Sequence, residues 1–554
     1  MERSKLMVVL AAVAGSAVSA VPYTWTGGAG DCLFSTAGNW DGGVAPTAAT
    51  AADTLVFTTG GVATNDIANL TVGDITVTLA AGDELTLAGE KFGGSGTLTK
   101  DGAGTLVFDA TGGLDEQPIV INGGIFKVGE SLTGSALGSA ADTAPIRVNA
   151  GGSLDINYTS STIDYDRCQV THDKLIYIAG TGAEGAGGAI INSNISGSQW
   201  PPQLGDVILT ADAMIGPGRT DVGTLVNGST EYGARANNAS ITGDYVLTFT
   251  DTAPGNAMYH GVRRCTINVK SITVTNGADL LIGANAEISL SDDILRLFNG
   301  GKLTCSGQSS SLHFPYPITV EGDNNRIRCT SGTGYFDGPI TIPADAALTL
   351  YYGTLHFYGK VTGNPLVSYN DTSYCNAYFR GGLDGIATFK GASGKASGRP
   401  IFDTTNSCFY GAFLTTGEAT IDGNTGTITR KSGNLFTGYP FDKAYGITVN
   451  NQDNFGAYGT EASDIVLITN STISVKGNFT AGRASTRSAG NKVTMRLGEG
   501  TTVTAANVYT GNNAWPNHGA IEILSGAVVN VTNYLCVGFH DGNAVPPRAR
   551  RTSG

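Results

Sequence analysis

Gly94-Ser95-Gly96-Thr97-Leu98-Thr99-Lys100-Asp101-Gly102-Ala103-Gly104-Thr105-Leu106-Val107-Phe108 is the stretch that decides the fold. Leu98, Leu106 and Phe108 share one parity, with Gly102 and Gly104 between them. Successive side chains of an extended chain point to opposite faces, so this spacing predicts two short strands that each turn one face to an apolar interior. The glycines suit a tight turn between them, where positive φ carries no Cβ penalty.

The same unit of strand, glycine turn and strand returns on both sides of the chain's middle. It recurs in Asn122-Gly123-Gly124-Ile125-Phe126-Lys127-Val128-Gly129 and in Ile146-Arg147-Val148-Asn149-Ala150-Gly151-Gly152-Ser153-Leu154-Asp155-Ile156. Later copies pair Ile340 and Ile342 with Leu348 and Leu350, and Ile521 and Ile523 with Val529 and Val531 across Ser525-Gly526. Strands this short cannot bury an apolar face alone. Stacking coils of about 20 residues joins their faces into one interior, which predicts a solenoid. Asp101-Gly102, Asn122-Gly123 and Asn276-Gly277 also suit hairpins, so an antiparallel sandwich or propeller is the competing reading.

The block Gly96-x-Leu98-x-Lys100-x-Gly102-x-Gly104-x-Leu106-x-Phe108, with its continuations through Phe126 and Leu154, resembles the autotransporter-associated β-strand repeat. That family builds passenger regions of bacterial surface and secreted proteins. The resemblance implies an all-β, right-handed parallel β-helix on an exported chain. It is concentrated in residues 93–157. Passengers of this kind are often followed by a membrane β-barrel, but no run of alternating strands with aromatic girdles follows Gly538.

The ends read differently from the repeats. Arg3 and Lys5, the apolar Leu6 to Val13 and the small residues Val18-Ser19-Ala20 form a secretory signal, with cleavage expected after Ala20. Tyr23-Thr24-Trp25, Gly38-Asn39-Trp40-Asp41 and Asp53-Thr54-Leu55-Val56-Phe57 resemble the Trp-containing opening of such solenoids. A solenoid end exposes its core and strand edge, so Trp25 and Trp40 are expected to cap it. Their alternative use is sugar stacking on flat indole faces. Arg548, Arg550 and Arg551 follow Pro546-Pro547 and break with the repeats. The expected organisation is therefore a signal peptide at 1–20, a cap and first coils at 21–92 and the family repeat at 93–157. A looser β-helix with loop insertions at 158–260, including Trp200-Pro201-Pro202, precedes β-helix repeats at 261–540 and a disordered or truncated tail at 541–554.

The 554 residues carry 79 glycines, only 14% charged residues and a formal net charge of −13. Long helices are not expected, and a polyanion is repelled at long range, so nucleic acid is not an expected partner. Eight cysteines are dilute and irregularly spaced, unlike a small disulfide scaffold. Cys265, Cys305 and Cys329 keep step with apolar neighbours. They are expected inside as packed thiols or as bridges between neighbouring rungs, with Cys375 and Cys408 a further conceivable pair.

Carboxylates are the first candidates for chemistry. Glycosidic hydrolysis needs two at a defined separation, for which Asp292-Asp293 and the pair Asp164 and Asp166 are the candidates. The Asn-Thr-Asp and Gly-His-Gly signatures of β-helix galacturonases are absent from the sequence. His172, His260, His313, His356, His518 and His540 are scattered, with no His-Glu-x-x-His and no Cys-x-x-Cys. His356, out of step with Leu355 and Phe357, is expected on the solvent face. Gly-x-Ser-x-Gly is missing, and Gly394-Lys395-Ala396 lacks the hydroxyl of a phosphate loop. Gly27-Gly28-Ala29-Gly30-Asp31 approximates a calcium nonapeptide once, with Asp one place early. Asn-x-Ser/Thr triplets at Asn69, Asn157, Asn194 and Asn478 are at the level chance supplies in such a chain.

No catalytic, cofactor or metal residues are assigned. The expected function is an exported cell-surface or secreted structural or adhesive β-helix, without catalytic activity, whose partners are extracellular glycans or host and matrix surfaces. Membrane association would require an anchor outside this chain. The alternatives are a carbohydrate-active β-helix enzyme, as lyase or hydrolase, and a carbohydrate-binding module.

Overall fold

The structure is a computed structural model. It describes, with short gaps, residues 22–129, 143–157, 174–194 and 203–390, and beyond these a set of strands between 400 and 537. Segments 1–20 and 541–554, Trp200, Asp164 and Asp166 lie outside the described residues.

The deciding stretch forms the strands Leu98–Asp101 and Thr105–Ala110, in which buried and half-exposed residues alternate. Gly102 turns the chain between them at φ +73°, where a Cβ would stand 2.2 Å from the Leu79 carbonyl oxygen of the coil below. The two strands do not pair with each other. Leu98 lies beside Ile119 and Leu106 beside Phe126, both in parallel register with the following coil. Asp101-Gly102 is thus a corner of a parallel β-helix and not a hairpin.

Coil length varies along the stack. Leu55 lies beside Ile75, Ile75 beside Leu98 and Leu98 beside Ile119, which gives coils of 20 to 23 residues. From Ile119 through Ile146, Ile176 and Val207 to Ile241 the steps grow to between 27 and 34 residues. They shorten again to 21–23 along Leu295, Ile318, Ile340, Val361 and Leu383. The long steps begin at Ile119, ahead of the region 158–260 expected to carry insertions; extra residues in a coil can loop outward without disturbing the paired strands.

Each coil has three sides. Early on, two are regular strands and the third is held by single parallel bridges such as Thr71 to Gly93 and Phe92 to Leu114. From Gln203–Leu204 onward the third side becomes its own parallel sheet, continuing through Asp279–Gly283, Lys302–Ser306, Asn325–Ser331 and Leu348–Tyr351. Burial of stacked Leu, Ile, Val and Phe on the three inner faces makes one continuous core. Each fully buried side chain contributes about 1.5–3 kcal/mol.

The N-terminal end is closed by aromatics. Trp25 and Trp40 are 3% and 2% exposed, with ring centroids 5.1 Å apart, and Phe34 lies 5.1 Å from Trp40. The Trp40 indole nitrogen donates to the Phe34 carbonyl at 2.7 Å. Phe92, Phe108 and Phe126 carry an aromatic column along the interior at 6.0 and 5.9 Å.

One inward residue is a lysine. Lys100 shares the parity of Leu98 and is fully buried. Its ammonium donates to the carbonyls of Asp101, Gly102 and Gly123 at 2.8, 2.9 and 3.0 Å. Gly124 of the next coil, at φ +65°, would place a Cβ against the Gly104 and Gly102 carbonyl oxygens as well as 2.8 Å from Nζ, so the close approach of backbone and ammonium requires glycine there.

Parallel pairing is interrupted after residue 386. Ile386–Lys390 pairs antiparallel with Glu418–Asp422, which pairs antiparallel with Ile428–Arg430, and Ala412–Leu414 pairs antiparallel with Asn434–Thr437. The five residues that join Glu418–Asp422 to Ile428–Arg430 have the sequence Gly423-Asn424-Thr425-Gly426-Thr427, a turn-prone composition. Parallel stacking resumes through Asn434–Thr437, Asn454–Ala457, Thr472–Ala481, Thr502–Thr510 and Val528–Val537. The segment 261–540 is therefore two parallel stacks separated by antiparallel strands. Among the described residues no helix is long and apolar enough to cross a membrane.

Candidate functional site

Of the carboxylates suggested by sequence, Asp164 and Asp166 lie outside the described residues. Asp292 and Asp293 are exposed on a turn, with Asp293 at φ 52°. Lys270 Nζ lies 3.8 Å from Asp292 Oδ2, an exposed pair on adjacent coils. Asp31 accepts from Thr36 Oγ1 at 2.6 Å, Asn39 Nδ2 at 2.5 Å and the Leu33 amide at 3.2 Å. Those bonds, Thr36 first, hold its carboxyl below the usual range. Asp31 thus ties the cap together. Trp25 and Trp40 are buried in that cap and present no indole face to a sugar.

Histidines and cysteines divide by face. His260 points inward, its ring 5.3 Å from Phe249, with Nε2 3.2 Å from the Thr250 carbonyl. Burial pushes its imidazole down to about 4, so it is neutral at pH 7. Cys265, Cys305, Cys329 and Cys375 are buried free thiols, and Cys305 and Cys329 are register neighbours. Burial raises the thiols of Cys265, to about 12, and of Cys305 and Cys375. They act as small apolar residues. Cys408 lies outside the described residues.

His356 faces outward as its parity requires, but it stacks. The outward rings of His313, Tyr335 and His356 stand in register on three coils, with centroids 4.6 and 4.9 Å apart. His313 Nδ1 also lies 3.2 Å from Asp337 Oδ2. Their spacings of 22 and 21 residues equal the local coil length, a signal the sequence held.

The richest polar arrangement is on the outer side of the third sheet. Lys302 lies beside Asp279 and Arg326, and Thr304 beside Leu281 and Arg328. Asp279, almost fully buried, accepts from Thr304 Oγ1 at 2.6 Å and from Arg328 Nη2 at 2.7 Å, while Arg328 Nε donates to Thr304 Oγ1 at 2.7 Å. Both carboxylate oxygens are bonded, which offsets the cost of burying the charge. The contact clamps three consecutive coils. Lys302 Nζ donates to the Gly277 carbonyl at 2.9 Å. Burial lowers its ammonium below the ordinary lysine range; Asp279 and Asp251 oppose this, and Arg326 and Arg328 add to it. Arg326 is exposed, 6.0 Å from the Tyr351 ring centroid, and makes no ion pair among the described residues.

None of Asp279, Lys302, Arg326, Arg328 and Tyr351 was singled out from the sequence, because their proximity depends on register across coils. Among the described residues no three His, Cys, Asp or Glu side chains are grouped to hold a metal ion. In comparison with known proteins, the chain matches no family model, no curated protein and no solved structure.

Proposed function

We propose that the chain is an exported structural or adhesive β-helix of the cell surface or extracellular space, acting without catalysis. The observation that carries this reading is the use made of its acidic side chains. Asp74 accepts from the Thr97 amide, Asp155 from the Ser193 amide, Asp206 from Ser240 and Asp212 from the Val246 amide, each on the following coil. Asp279 does the same through Thr304 and Arg328. Carboxylates spent on holding one coil to the next build a stiff column; catalysis needs them aimed together into a cleft. The signal-like N-terminus and the resemblance of residues 93–157 to autotransporter-associated repeats support export and a passenger-like role.

Two measurements test the proposal together. Purified chain is incubated with a panel of neutral and acidic polysaccharides, and reducing ends and unsaturated products are assayed. The expected result is none, together with retention of chain-displaying cells on a glycan- or matrix-coated surface. Turnover that vanishes in Asp292→Asn or Asp164→Asn would overturn the non-enzymatic reading, and absence of retention on every surface would overturn the adhesive one.

A further inference from the structure

The outer strip of the third sheet holds more positive charge than its neighbours neutralise. Lys302, Arg326 and Arg328 stand on two successive coils, and the carboxylates acting on Lys302 are the buried Asp279 and Asp251. Arg328 is committed to Asp279, whereas Arg326 reaches solvent with no carboxylate partner among the described residues. In a chain of net charge −13 this is a local inversion. Screening at physiological ionic strength confines the rest of the charge to within about 8 Å, so a local excess governs what docks there.

We propose that this strip binds an acidic polysaccharide, whose carboxylate or sulfate groups are held by Lys302 and Arg326 beside Tyr351. The site rests on the adhesive reading above and names its ligand class. Lys302 and Arg326 are register neighbours, about 4.8 Å apart along the solenoid axis; on the next coil Arg326 faces Thr349, and Tyr351 stands two residues along that strand with its ring centroid 6.0 Å from the Arg326 guanidinium. Two cations stacked along the axis are therefore flanked diagonally by an aromatic ring, an arrangement suited to a polymer with repeating anions and apolar sugar faces. The buried clamp holds Arg328 still, and the fixed fork of Arg326 is pre-formed for two-pronged contact with a carboxylate. Nucleic acid fits less well: duplex DNA carries a charge every ~1.7 Å, and three cations cannot offset its repulsion from the rest of the chain.

The test is retention of the full chain on immobilised polygalacturonate, dextran sulfate, neutral dextran and single-stranded polynucleotide at low and physiological salt. The expected result is salt-sensitive retention on one or both acidic glycans, none on dextran, and at least a tenfold loss in Arg326→Glu with a smaller loss in Lys302→Gln. The preferred acidic glycan identifies the anion. Arg296→Glu, an exposed reversal on the second face, controls for net charge and is expected to bind as the parent does. Retention unchanged by Arg326→Glu, equal loss in Arg296→Glu, equal binding to dextran, or tighter binding to the polynucleotide would each overturn the proposal. Polysaccharide turnover would sink the non-enzymatic reading and leave this site standing; loss of glycan binding with surface adhesion intact would do the reverse.

Discussion

The coils before residue 130 and those between 265 and 390 close the same triangular cross-section in different ways. The early coils give their third side to irregular chain held by single bridges, and use interior devices to compensate: the Trp25–Trp40 cap, the phenylalanine column and the buried Lys100 that gathers turn carbonyls. The later coils make the third side a regular sheet and move their polar clamp outside it, in Asp279, Thr304 and Arg328. Lys100 gathers the carbonyls of a corner between two regular strands and of the turn above it, whereas Asp279 is met by the side chains of Thr304 and Arg328 on a regular sheet. A buried polar residue in this column thus ties successive coils, through turn carbonyls inside and through side chains outside.

Substitutions that separate the two halves sharpen this contrast. The largest effect is expected from Trp25→Ala, which opens a cavity in the cap and should cost about 3–5 kcal/mol. The loss should appear as early unfolding of the first coils, read by hydrogen exchange, with the coils after 265 unaffected. Asp279→Ala should cost about 3 kcal/mol by leaving Arg328 part-buried and unpaired, and should loosen the later coils only.

Lys100→Met should cost about 2 kcal/mol in a denaturant titration by stripping buried carbonyls of their donor. It also has a pH signature. Burial draws the Lys100 ammonium down to about 8 from an ordinary 10.5, against the pull of Asp101. Between those values the unfolded chain binds a proton that the folded chain does not, so stability should rise as pH goes from about 8 to about 10.5 and stay flat below. That rise should be missing in Lys100→Met. The smallest effect belongs to Asp292→Asn, exposed on its turn, which should change stability by less than about 0.5 kcal/mol.

The interior was legible wherever strands were short and alternating. Leu98, Leu106, Phe108, Cys265, Cys305 and Cys329 all lie on the face their parity assigns. Lys100 has that same parity, so its inward position was equally available; its charge argued against it, because the carbonyls that accept it belong to turns whose geometry no pattern reveals. The clamp on the third face was hidden for another reason. Asp279 and Arg328 are 49 residues apart, and only knowledge of two coil lengths brings them together. The antiparallel strands between 386 and 437 were missed because a Gly-containing reversal and a β-helix corner use the same residues.

Within the first parallel stack, each coil adds a constant rise. Spin labels on outward positions of one side test it: Val56, Arg147 and Ile208 are linked through Thr76, Thr99, Val120 and Tyr177 by parallel register. At about 4.8 Å per strand, pulsed dipolar spectroscopy should give backbone separations near 19 Å for Val56 to Arg147, four coils on, and near 29 Å for Val56 to Ile208, six coils on. Distances that fail to lengthen with coil number, or that shorten for the farther pair, would contradict the stacked column and the function argued from it.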